Sequence, residues 1–74
     1  MYCTAEKNYV FVYEDGGRLV RKIGVNGPVE GAYMNGGDKV AITYTSANNN
    51  IQPRPRYTEL WDVSGRFIRR TACN

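Results

Sequence analysis

The side chains of this sequence best suited to chemistry are its arginines and the aromatic residues set among them. Arg54 and Arg56 alternate with prolines in QPRPR (52–56), and Arg66, Arg69 and Arg70 fall in GRFIRRT (65–71). Tyr44, Tyr57 and Trp61 lie close by in sequence. Arginine interleaved with aromatics on a small β surface is the combination that single-stranded nucleic acid binding uses, through phosphate contact and base stacking. Tyr, Trp and Arg are also the residue types enriched at the energetic centres of protein interfaces. The candidate partner-binding residues are therefore Arg54, Arg56, Tyr57, Trp61, Arg66, Arg69 and Arg70. Pro53 and Pro55 hold the first pair of guanidinium groups on an extended stretch. Arg69 and Arg70 are adjacent, so in a regular strand they point to opposite faces. The plainer reading of all these arginines is that they solubilise exposed faces while their stems cover apolar rings.

Other chemistries find little support. The chain has no histidine, which removes Ser-His-Asp and Cys-His nucleophiles and histidine-based metal sites. Of its seven carboxylates, Glu14, Asp15, Asp38 and Asp62 fall at turns, where short polar side chains satisfy backbone N–H groups. The glycine pairs 16–17 and 36–37 match neither a Walker loop nor a dinucleotide fingerprint and read as hairpin turns. No catalytic, cofactor-binding or metal-ligating residue is assigned; the expectation is a non-enzymatic protein with no cofactor. Cys3 and Cys73 sit near the two ends. A disulfide between them would close nearly the whole chain, a loop of a size associated with about 4 kcal/mol; the plainer reading is two reduced thiols in a cytoplasmic protein.

The elements that must carry these residues are strands. Alternating or β-rich runs occur at 2–5, 8–13, 18–24, 29–34, 39–45, 57–61 and 66–71, with turn signals EDGG, NGP, NGGD and DVSG between them. No segment shows a capped helical stripe. The expected fold is all-β: a small antiparallel meander or barrel-like domain of six to seven short strands over residues 1–74, with one long polar loop at 46–56. YVFVYEDGGRLVRKI (9–23) and YTELWDVSGRFIRRT (57–71) align without a gap at an offset of 48 residues. Tyr9, Gly17, Arg18 and Arg21 recur as Tyr57, Gly65, Arg66 and Arg69. The domain is thus built from two similar hairpins. In the first copy Val10 and Val12 mark one face and Tyr9, Phe11 and Tyr13 the other, so both faces carry apolar groups. That pattern favours a barrel, a two-layer stack or an oligomer over one open sheet.

Residues 29–71 resemble one blade of a WD-type β-propeller. VEGAYM, DKVAITYT, YTELWD and GRFIRRT would be its four strands, and Trp61-Asp62 stands where the third strand of such repeats ends in Trp-Asp. Residues 9–23 would be the last two strands of a preceding blade, with Tyr13-Glu14 in the same place. The offset is near the usual repeat of about 40 to 45 residues. The Gly-His that opens many such repeats is missing. Propellers have at least about four blades, so one and a half blades imply either completion by oligomerisation or a smaller barrel built of similar hairpins.

The net charge of +3 lies wholly in the second half: residues 38–74 hold six basic and three acidic side chains, residues 1–37 four of each. This permits an acidic partner without demanding one. No run approaches the roughly 20 apolar residues of a membrane span, and no membrane partner is expected. A chain this short buries only about 60% of its unfolded surface, which gives it a stability reason to self-associate. The first functional expectation is a protein-interaction or self-assembly module whose partner is itself or another protein. The second is binding of single-stranded DNA or RNA through the basic, aromatic surface.

Overall fold

The computed structural model describes residues 1–48, 50 and 52–73. Seven strands follow in order: β1 (Tyr2–Glu6), β2 (Tyr9–Tyr13), β3 (Leu19–Gly24), β4 (Val29–Met34), β5 (Lys39–Thr45), β6 (Arg56–Asp62) and β7 (Phe67–Cys73). They form two antiparallel sheets, β1-β2-β3 and β4-β5-β6-β7. Each sheet is a meander, as tight polar turns between short alternating strands require. Among the described residues no helix is long and apolar enough to cross a membrane.

The sequence repeat is a structural repeat down to its irregularities. In the first hairpin Val10 pairs with Ile23, Phe11 with Lys22 and Val12 with Arg21; then a bulge shifts the register so that Tyr13 meets Leu19. In the second, Thr58 pairs with Thr71, Glu59 with Arg70 and Leu60 with Arg69; a bulge at the same place brings Trp61 to Phe67. The turns match as well. Glu14 N–H donates to Arg18 C=O and Gly17 N–H to Glu14 C=O, as Asp62 N–H donates to Arg66 C=O and Gly65 N–H to Asp62 C=O. Gly17 and Gly65 take φ of 94° and 99°, a conformation that a side chain would strain.

Alternation divides each sheet into two faces. On the β1–β3 sheet, Cys3, Val10, Val12 and Ile23 share one face, here called the back, and Tyr2, Tyr9, Phe11, Tyr13 and Lys22 share the front. On the β4–β7 sheet the corresponding front holds Val40, Ile42, Tyr44, Tyr57, Glu59, Trp61 and Arg70, and the back holds Ala41, Thr43, Thr58, Leu60, Arg69 and Thr71. The core forms where the back of the first sheet meets the front of the second. Val10, Val12 and Ile23 cluster with Val40, Ile42 and Tyr44, and Tyr57 and Trp61 pack against the cluster. At about 1.5–3 kcal/mol for each fully buried side chain of this kind, this layer is the main cohesive contact between the sheets.

One connection is not a hairpin. After β3, residues 25–28 cross the end of the β1–β2 hairpin to start β4 beside β1. Val25 N–H bonds Asn8 C=O at 2.9 Å, Val29 N–H bonds Lys7 C=O at 2.7 Å and Ala47 N–H bonds Asn26 C=O at 2.9 Å. The NGP stretch therefore ties three segments together. Gly27 has φ of 153°, and a Cβ there would lie 1.8 Å from the Thr45 carbonyl oxygen, so only glycine lets the two backbones approach.

Candidate interaction faces

The seven candidate residues do not line one groove. Tyr57, Trp61 and Arg70 are on the front of the β4–β7 sheet, Arg56 and Arg69 on its back. Arg66 is exposed next to the β6–β7 turn and Arg54 is exposed in the 46–56 loop, where Asn49 and Ile51 lie outside the described residues. Arg56 is already engaged: its guanidinium reaches Glu30 at 2.9 Å. The Thr45 hydroxyl and, after it, Arg56 hold the Glu30 carboxyl below the usual carboxylate range.

Arg70 is exposed and lies over the Tyr57 ring at 4.4 Å. Beside it, Glu59 is buried and accepts hydrogen bonds from the Tyr44 hydroxyl and from Trp61 Nε1, the latter at 2.9 Å. Burial first, then the Glu59 carboxylate, push the Tyr44 hydroxyl up to about 12, against a smaller opposing pull from Arg70. Sequence reasoning missed this cluster. The available signal was that the repeat puts Glu59 where the first copy has Phe11. A lone acid replacing a ring on an aromatic face needs polar partners there.

The first copy shows the same arrangement uncovered. Lys22 Nζ sits 4.1 Å over the Tyr9 ring, matching Arg70 over Tyr57. Tyr2 stacks on Tyr13 with centroids 5.2 Å apart, and Tyr9 meets Phe11 at 6.5 Å. Tyr2 is 44% exposed, whereas Val40, at the corresponding place in the second sheet, is fully buried. The front of β1–β3 is thus an aromatic face with nothing over it in the described chain. The back of β4–β7 is the other open face. There Thr43 and Thr58 hydroxyls bond each other at 3.0 Å, and the Thr58 hydroxyl meets the Cys73 thiol at 3.0 Å. Cys3 and Cys73 are free thiols, and burial pushes the Cys3 thiol up.

A hollow of about 400 Å³ is bordered by Lys7, Asn8, Val25, Asn26, Gly27, Pro28 and Ala47; it is the seam of the joint that ties the sheets. Among the described residues no three Cys, Asp or Glu side chains gather as a metal site. Comparison of the chain with family models, with curated proteins and with solved structures finds no significant match in any of the three.

Proposed function

We propose that this chain is a non-enzymatic β module whose function is protein–protein contact, in the first place self-assembly. The observation that carries this reading is the uncovered aromatic front of β1–β3, the counterpart of a face that is covered in the second sheet. Large exposed apolar patches on small domains mark contact sites, and a ring-rich patch with a cation over one ring has the composition of interface centres. Completion by further copies also keeps the propeller-blade likeness in play as a proposal, since the β4–β7 meander has four strands and the first sheet three. Two free thiols fit a reducing compartment. Sedimentation equilibrium over a range of micromolar concentrations tests the reading: a mass that rises with concentration is expected, and a strict monomer throughout overturns it. Nucleic acid binding ranks second because the arginines are divided between two faces and a loop. A labelled single-stranded oligonucleotide, titrated at two salt concentrations, reverses the ranking if it binds with steep salt dependence.

A further inference from the structure

The two sheets of this chain already demonstrate one mode of docking. A back face carrying Val10, Val12 and Ile23 covers a front face carrying Val40, Ile42 and Tyr44. Arg21, on the same back, reaches past the rim to the opposite turn: a Cβ on Gly65 would come within 3.1 Å of its guanidinium. Because β1-β2-β3 corresponds in order to β5-β6-β7, with β4 additional, the molecule leaves over one unused front, on β1–β3, and one unused back, on β4–β7. We infer that the unused back of one copy docks on the unused front of a second copy, face to face as the two sheets do but without the β1–β4 edge contact, giving head-to-tail assembly. This inference rests on the self-assembly reading above and specifies its geometry.

Three observations support the choice of partner. First, the back of β4–β7 keeps the shape of the back that docks internally. Thr58 stands for Val10, Leu60 for Val12 and Thr71 for Ile23, and Thr has nearly the outline of Val. Second, the polarity added by Thr58, though not that added by the exposed Thr71, is answered within the sheet by Thr43 and Cys73, so covering Thr58 orphans no hydroxyl. Third, the rim contact has a complementary counterpart. Arg69 occupies the place of Arg21 and is exposed. The same docking sets it against the turn at Gly17, which carries Glu14, paired with Arg18 at 2.9 Å, and Asp15, paired with the Met1 amino group at 2.7 Å, where the internal turn carries only Asp62. A front meeting a back is a heterologous contact, which propagates into a ring or a filament, unlike a self-complementary front-to-front pair.

Complementary variants separate these arrangements. Tyr2→Glu/Tyr9→Glu blocks the front and Arg69→Glu/Thr71→Glu blocks the back; all four side chains are exposed. Each variant alone is expected to be monomeric with an unchanged circular dichroism spectrum. Mixed in equal amounts they are expected to form a one-to-one dimer and stop there, since one intact front and one intact back remain. A mixture that stays monomeric, or a back-blocked variant that assembles as the unmodified chain does, overturns the inference. Where a variant is unfolded, a photoreactive benzoylphenylalanine at Phe11 in the otherwise unmodified chain decides, with an isotope-labelled second copy. Crosslinks to residues 41–45 or 56–62 of the other copy support it; crosslinks to residues 2–13 of that copy, or none, overturn it. An unmodified chain that never associates removes the self-assembly reading too, whereas association with either adverse pattern removes the head-to-tail geometry alone.

Discussion

Glu59 shows how one substitution between repeats can reorganise a core. Its counterpart Phe11 lies on an open aromatic face, yet Glu59 is buried with Tyr44 and Trp61 donating to it. Removing the carboxylate leaves a buried hydroxyl and an indole N–H without their acceptor, a penalty of about 1–3 kcal/mol. Glu59→Ala should lower the urea midpoint accordingly, while Glu6→Ala, at an exposed position of β1, should leave it nearly unchanged. The Tyr44 hydroxyl carries a pH signature. Its folded value, about 12, lies above the ordinary value of 10.0. The stabilisation of its protonated form is therefore complete below pH 10 and disappears as pH rises from about 10 through about 12. Ultraviolet difference titration should show one of the six tyrosines ionising late, and Tyr44→Phe should abolish that late step. The repeat signals that Glu59 needs polar partners, but not that one of them is Tyr44, which sheet pairing of β5 with β6 brings to it.

Among the elements, the hairpin copies were the most legible part. The strand limits expected from alternation and turn residues match those observed or differ by one residue, except that β7 runs two residues further, and the matched bulges put Tyr13 and Trp61 in the same setting. The NGP stretch was legible only as a turn. Its role in tying β1–β2, β4 and the segment after β5 depends on carbonyls from distant residues. Gly27→Ala must both strain the backbone and push against Thr45, so it should cost well over the roughly 1 kcal/mol of an ordinary glycine replacement. Gly16→Ala meets nothing within 4 Å and should be close to neutral. Chemical denaturation of the two variants side by side checks the contrast.

For the molecule as a whole, the proposed association rests on the unmatched faces. The proposed contact is mainly aromatic, with one charged rim pair, and screening acts chiefly on the latter. Raising the salt concentration should therefore weaken association modestly, whereas Arg69→Glu alone should weaken it by about threefold, because Glu14 and Asp15 already pair with Arg18 and the Met1 amino group and attract or repel a rim side chain only weakly. Sedimentation at two salt concentrations reads both effects. A steep loss of association with salt would instead mean that charge, and not the aromatic front, holds the copies together.

Residue order along the chain was enough to establish an all-β protein, two copies of one hairpin, the turns that close them and the division of Tyr9, Phe11 and Tyr13 from Val10 and Val12. These follow from contacts a few residues apart and from the two-residue period of a strand. It left open which faces would be covered, because both faces of the first copy carry apolar groups. That choice was made by the crossing at residues 25–28, which sets the back of β1–β3 on the front of β4–β7. The same crossing buried Glu59 and left Tyr2 and Tyr9 open. Packing between sheets joins residues far apart in sequence, and its outcome depends on the shape and hydrogen-bond partners of both surfaces together, which no single stretch of sequence contains.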